Sequence, residues 1–274
     1  MLSFTQLINA SKKVTEKGLV YQLDESWMQG RAIFGGLSAA LCVDGANKLI
    51  ANMPPLRSAS FNFIGIASDE VWIQAKVLRQ GKSVTYVSSQ LLGAQGIVCD
   101  AVLCFGAARE STLNKSYGKA LYGDKSNVIQ PDETISFADQ IPKGAKKPES
   151  PLFTRQFDTR VVSCDLPFSG SIDASHELWI RHRDQKATGL VALIALADMP
   201  PPAVLSALTK PAPVSSMTWM INILTDQIND NDHWFLFGSF AESAKGGYSS
   251  QNMTVHNQSG ELVIAGRQNI AVFS

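Results

Sequence analysis

This 274-residue chain states one pattern twice. A long apolar stretch, Ile33 to Ile50, is followed by four strand-like runs: Ser58 to Ile66, Val71 to Arg79, Ser83 to Leu92 and Ile97 to Phe105. The second half repeats that order. Leu190 to Ala197, extended by Ala203 to Leu208 beyond a break at Pro200-Pro201-Pro202, precedes Ser215 to Leu224, Trp234 to Glu242, Tyr248 to His256 and Leu262 to Phe273. Details recur as well: Lys82-Ser-Val-Thr-Tyr-Val-Ser-Ser-Gln in the first half resembles Lys245-Gly-Gly-Tyr-Ser-Ser-Gln in the second. Self-similarity on this scale makes the chain two copies of one supersecondary unit.

The unit itself is constrained by its helix. Leu37, Ala40, Leu41, Ala46 and Leu49 recur at helical spacing, and Ala39, Cys42 and Val43 widen the apolar stripe around most of the circumference. Such a helix must be covered on nearly all sides. The strand runs that follow are separated by short breaks at Ser68-Asp69-Glu70, Gln80-Gly81-Lys82 and Gly93-Ala94-Gln95-Gly96, as hairpins are. Val71, Ile73, Ala75 and Val77 alternate with Gln74 and Lys76, which predicts one buried and one open sheet face. One buried helix against a curved antiparallel sheet is the α+β solution. Two such sheets are expected to pair edge to edge, because a long exposed edge is a hazard that each copy cures for the other. Gly35 and Gly36 at the start of the first helix admit two readings. One is tight packing; the other is a set of N–H groups offered to a negatively charged group.

Around the repeat, Leu2 to Asn9 reads as a short helix, Leu19 to Leu23 as a strand and Trp27 to Arg31 as a loop into the central helix. Phe153 to Val162 and Ile172 to Arg183 are strand-like. Glu110 to Pro151 is rich in lysine, proline and glycine and reads as a linker, with a short helix at Ile135 to Gln140. The expected division is therefore an N-terminal unit over 1–110, a linker over 111–151 and a C-terminal unit over 152–274.

Composition narrows the function. Lys and Arg total 24 against 24 Asp and Glu, so no basic surface for nucleic acid is expected. Cys42, Cys99, Cys104 and Cys164 have neither metal-ligand spacing nor a secreted disulfide pattern. Met1-Leu-Ser-Phe-Thr-Gln lacks the basic flank and apolar run of a signal peptide, and Leu190 to Ala197 is too short to insert in a membrane. The expected setting is cytoplasmic.

Two motifs carry a resemblance. Arg31-Ala-Ile-Phe-Gly-Gly-Leu matches a phenylalanine-glycine-glycine lead-in to a helix, and Val77-Leu-Arg-Gln-Gly-Lys-Ser-Val matches an arginine-x-glycine-x-serine turn. With the duplicated order of elements, they make the chain resemble the acyl-CoA thioesterase II family over nearly its whole length. That resemblance implies a double hot-dog fold, two long helices each wrapped by an antiparallel sheet. It also implies hydrolysis of acyl-CoA to a fatty acid and CoA, with no metal or nucleotide cofactor. The family's acid, hydroxyl and amide fall here on Asp198, on Ser215 or Thr218, and on Gln268. Asp198 would serve as base or water-orienting carboxylate, and the hydroxyl and Gln268 would hold the water. Substrate contacts would come from Phe34, Gly35, Gly36, Gly189, Ser216 and Trp219, with helix-start N–H groups at Gly35-Gly36 or near Gly189 polarising the thioester carbonyl. Apolar strand faces would line an acyl tunnel. The chain departs from the family in one place: the aspartate-histidine pair after the hydroxyl is replaced by Met217 and Thr218.

Against these stand plainer readings. Asp198 sits where a helix ends before Pro200 and could simply face water. Gln268, between Val263-Ile264 and Ile270, fits the outward face of an alternating strand. There is no Gly-x-Ser-x-Gly elbow for a serine hydrolase. His176, His182, His233 and His256 lack metal spacing and read as surface or structural residues. On the same fold, a non-catalytic acyl-CoA-binding protein remains open, and so, with less support, does a hydratase or dehydratase. Monomer, dimer and higher homo-oligomer are all open.

Overall fold

The computed structural model describes residues 1–14, 16–113, 115, 129–140, 150–226, 228 and 233–274. Helix α1 (Phe4–Asn9) is followed by β1 (Lys12–Val14), β2 (Gly18–Gln22) and a small pair, β3 (Met28–Gln29) and β4 (Ala32–Ile33). Then come α2 (Gly35–Leu49), β5 (Leu56–Phe63), β6 (Glu70–Gln80), β7 (Val84–Gly93) and β8 (Gly96–Gly106). The second half holds β9 (Ile135–Ser136), β10 (Phe157–Cys164), β11 (Ser175–His182), α3 (Gly189–Ala197), β12 (Val214–Ile223), β13 (Phe235–Lys245), β14 (Tyr248–Asn257) and β15 (Leu262–Val272).

The two copies join as the edge argument requires. Among the described residues, thirteen strands form one sheet in the order β1-β2-β6-β7-β8-β5-β12-β15-β14-β13-β11-β10-β9. The seam is the antiparallel pair β5 and β12, where Phe61 faces Trp219. Neither of the two innermost strands is left with an open edge.

Helix α2 is buried without a break from Gly36 to Ala46, so its apolar circumference is fully used. It lies on the inner faces of β6, β7 and β8 and against α3. The alternation in β6 behaves as written at its start, where Val71 and Ile73 are buried, and then runs out: Val77 is exposed beside a bulge between Val77 and Arg79. The second apolar region is shorter than its sequence implies. α3 ends at Ala197, Pro200 to Pro202 cannot continue it, and Ala203–Ser206 forms a separate 3-10 turn.

The start of α2 is fixed by an aromatic cluster shared between copies. Phe34 stacks on Phe153 with centroids 4.1 Å apart and planes 5° apart, and Phe157 and Trp27 close around it. Of the linker, the described part folds onto the second copy. Ser136 pairs with Arg160, and the Trp179 Nε1–H donates to the Ile129 carbonyl at 2.8 Å. The short helix expected at Ile135 to Gln140 is a strand pair followed by a 3-10 turn, Phe137–Gln140. Residues 114, 116–128 and 141–149 of that linker lie outside the described residues.

Candidate active site

The two helices meet where neither carries bulk. A Cβ on Gly36 would stand 2.6 Å from the Ala195 carbonyl oxygen, and one on Gly35 would stand 2.8 Å from Asp198 Oδ2. Glycine therefore lets the start of α2, from the first copy, abut the end of α3, from the second. The first-turn N–H groups of a helix have no carbonyl within it to receive them. Here the Gly36 N–H donates to the Asp198 carboxylate. Both readings of the glycine pair thus hold together: tight packing delivers a carboxylate to a helix start.

Asp198 does end its helix, as its C-cap residue, but it does not point freely into water. The residue is half-buried, and its carboxyl group is set deeply enough for desolvation to push the pKa up to about 7. Hydrogen bonds from Gln268 and from the Gly36 N–H act the other way, holding the charged form. At neutral pH the group sits near the midpoint of its titration, as a proton-transfer residue requires.

Gln268 is buried, and the outward reading of its strand position is overturned. Its Nε2 donates to Asp198 Oδ1 at 2.5 Å. Its Oε1 accepts from Gln251 Nε2 at 2.6 Å, and Gln251 Oε1 accepts from the Ala203 N–H at 2.9 Å. Gln251 was not singled out from the sequence, although it closes the Ser-Ser-Gln that recurs in both halves. Phe63 was missed too; its ring would lie 3.5 Å from a Gly35 Cβ, at the mouth of the site.

The three hydroxyls separate by face. A bulge lies between Ser216 and Thr218. Ser216 pairs with fully buried Ile270, and Trp219 pairs with Gln268, so Ser216 shares the inner face with the amide. Ser215 and Thr218 are exposed and pair with Ala271 and Asn269 on the outer face. The water-holding expectation placed on Ser215 or Thr218 is corrected accordingly: neither shares a face with Gln268.

Other expected contacts also move. Phe34 and Trp219 are sealed in the core rather than open to a ligand. Trp219 packs on Phe61, with centroids 5.5 Å apart, and its Nε1–H donates to Met253 Sδ at 3.0 Å. Gly189 stands at the far end of α3 from Asp198, about 13 Å away at the usual helical rise, so its N–H belongs to a different place. The inner strand faces carry the side chains of one continuous apolar core. A cleft of about 710 Å³ does open, but at that far end, lined by Asn47, Met53, Pro55, Phe105, Leu190 and Asp226. His176 and His182 are buried, not surface, and burial lowers both pKa values to about 4.

One row across the sheet shows how unequal the copies are. From β6 to β13 the paired residues run Ala75, Ser89, Ala101, Phe61, Trp219, Gln268, Gln251 and Ala241. Reflected through the β5–β12 seam, Gln268 corresponds to Ala101 and Gln251 to Ser89. At these register positions, among the described residues, the amide pair stands in the half that carries Asp198.

Comparison with known proteins decides the family. An acyl-CoA thioesterase N-terminal domain model matches residues 23–106, and an acyl-CoA thioesterase C-terminal domain model matches residues 133–272. The chain belongs to the acyl-CoA thioesterase family. Its reaction is hydrolysis of acyl-CoA thioesters. No curated protein matches the thioesterase by sequence. Solved structures match it by shape. A hot-dog protein of unknown function from Alicyclobacillus acidocaldarius has a TM-score of 0.83 at 21% identity, covering 98% of this chain and 97% of that one. An acyl-CoA thioesterase II from Mycobacterium marinum has a TM-score of 0.71 at 18% identity, covering 97% of each chain. The double hot-dog fold of the thioesterase is thereby shown.

Proposed function

We propose that this thioesterase hydrolyses acyl-CoA at a single site per chain, between the start of α2 and the end of α3, with Asp198 as the general base. The thioester carbonyl lies at the α2 start, where first-turn N–H groups and the positive end of the helix dipole favour the developing oxyanion. Water sits between Asp198 and the Ser216 hydroxyl. Asp198 takes a proton as the water oxygen bonds to the carbonyl carbon. The tetrahedral adduct then expels sulfur, and the proton returns from Asp198 to the departing CoA thiolate. Gln268 holds Asp198 Oδ1 throughout and leaves Oδ2, the oxygen nearest Gly35, for the water.

The observation that carries this reading is the placing of one half-buried acid, with its pKa near 7, on the helix start of the other copy. The partly exposed ring of Phe63 and exposed Ile64 give the mouth an apolar lip for the acyl chain. The missing aspartate-histidine pair does not remove any of these groups. The test is free CoA release from acyl-CoAs of graded chain length, wild type against Asp198→Asn. Release that collapses in the variant supports the site; undiminished release sinks it, and no release by the wild type favours a binding protein.

The cellular setting we propose is fatty-acid turnover in the cytoplasm. All four cysteines are unpaired, as a reducing compartment keeps them, and localisation of the tagged chain tests it. For assembly, we propose a homo-oligomer through the outer sheet face, where Val102 and Met220 are exposed; light scattering decides that point.

A further inference from the structure

Three hydrogen bonds run in one direction from the backbone to Asp198. The Ala203 N–H donates to Gln251 Oε1 at 2.9 Å, Gln251 Nε2 donates to Gln268 Oε1 at 2.6 Å, and Gln268 Nε2 donates to Asp198 Oδ1 at 2.5 Å. A backbone N–H can only donate, so the amide facing it must present oxygen. That fixes which end of Gln251 faces Gln268, and hence which end of Gln268 faces the acid. A carboxamide can otherwise turn over at little cost in shape, exchanging donor for acceptor.

The orientation matters chemically. With its NH2 toward Asp198, Gln268 supports a carboxylate. Reversed, its oxygen would need a proton on the acid and would support the carboxylic acid instead. No charged side chain among the described residues contributes to the Asp198 environment; desolvation, Gln268 and the Gly36 N–H do. After desolvation, the Gln268 hydrogen bond is the next largest influence on this group, and its sign depends on which end of the amide faces the acid.

The source of that polarity is built in. Ala203 opens the 3-10 turn that follows Pro200 to Pro202, so the break in the second helix is what delivers a free N–H to Gln251. Gln251 is buried on β14, directly opposite Gln268 in register. At the reflected position in the other half stands Ser89, whose Oγ donates to the Cys42 carbonyl of α2, and Ala101 replaces the second amide. The glutamine of that half's own Ser-Ser-Gln, Gln90, falls on the next register position, where its Nε2 donates to Asp100 Oδ1 at 2.9 Å.

We infer that Gln251 is a positioning residue for thioester hydrolysis: it locks the Gln268 amide with its NH2 toward Asp198 and so keeps the acid in its proton-accepting form. The inference rests on the reading of Asp198 as the base. The test is the pH dependence of kcat and KM for octanoyl-CoA hydrolysis, with thermal melting as a fold control. Gln251→Met removes the lock without adding charge. The expected result is an acid-limb inflection displaced upward by about half a pH unit or more, kcat at pH 7 lower by about twofold or more, and KM within about threefold of wild type. Gln251→Glu keeps the acceptor for the Ala203 N–H and so preserves the turn, but it cannot donate to Gln268. Its inflection should move further upward, and it supplies the answer if the Met variant does not fold. In a Gln268→Ala background, Gln251→Met should cost nothing more in kcat, because Gln251 acts only through Gln268. A folded Gln251→Met enzyme with the wild-type inflection and kcat overturns the inference, as does full additivity with Gln268→Ala. Asp198→Asn separates the two levels. If it stays active, the base assignment fails; if it is inactive while the Gln251 variants are unchanged, only the positioning role fails.

Discussion

Gln268 Nε2 lies 2.5 Å from Asp198 Oδ1, joining the middle of the last strand to the residue that ends the second helix. Burial alone would drive that carboxyl group further toward its neutral form. The amide and the Gly36 N–H check the rise, leaving the pKa at about 7. The chemistry expected of the site follows from that balance.

Activity should track ionisation of Asp198. Below about pH 7, kcat/KM for acyl-CoA hydrolysis should fall about tenfold per pH unit, and above it the rate should level off. Asp198→Asn should lose on the order of 10²–10⁴ in kcat and with it the acid limb. A pH–rate profile by continuous thiol detection checks both statements.

Stability should move the opposite way. The folded-state pKa of Asp198 lies above its unfolded value, so the folded state holds a proton that the unfolded chain has released. The associated stability is fully present below the ordinary carboxylate pKa and is lost as pH rises through about 7. Asp198→Asn cannot titrate, so its melting temperature should gain on the wild type between pH 5 and pH 8. Calorimetry across that interval decides it; a constant difference between the two proteins would contradict the buried acid.

The two glycines should fail differently. At Gly36 the obstacles to a Cβ are the Phe34 ring, buried against Phe153, and the backbone carbonyl of Ala195, which cannot swing aside. Gly36→Ala should therefore push α2 from α3 and cost roughly 1–3 kcal/mol by denaturant titration. At Gly35 the obstacle is the Asp198 side chain itself. Gly35→Ala should leave stability nearly intact and lower kcat by displacing the carboxylate.

The hydroxyls on β12 should sort by face. Ser216→Ala should lower kcat by about fivefold, the value of one hydrogen bond of about 1 kcal/mol. Ser215→Ala and Thr218→Ala, on the outer face, should stay within about twofold of the wild type. A kcat loss confined to Thr218→Ala would mean that the outer face carries the water.

Much of this was legible in the sequence, and the rest was hidden for identifiable reasons. The apolar circumference of Ile33 to Ile50 required a buried helix, and the repeated order of runs required two sheets with an edge in common. Asp198 and Gln268 came from family resemblance; alternation alone argued against Gln268, because one polar residue in a strand reads as outward. Ser215 and Thr218, where the resemblance places the hydroxyl, lie on the outer face because a bulge at Ser216 to Thr218 changes which residues face in, and no spacing rule reveals an extra residue in a strand. Gln251 was missed because Ser249 to Asn252 is polar at every position, so alternation gives no direction. Phe34, which the resemblance makes a substrate contact, has its ring held against Phe153 of the other copy. That contact, like the one between Gly35 and Asp198, joins residues distant in the chain, which local pattern does not report.

The reflected row through the β5–β12 seam also records a divergence. Two identical halves would have built this site twice, once at each end of the paired helices. In the present chain the halves differ: the first brings the Gly36 N–H, with Gly35 leaving room for the carboxylate, and the second brings Asp198 and the glutamine that orients it. On the proposed assignment, neither half is a smaller enzyme. A cut in the linker would leave two fragments, each holding part of one site, and activity would return only where the halves find each other again.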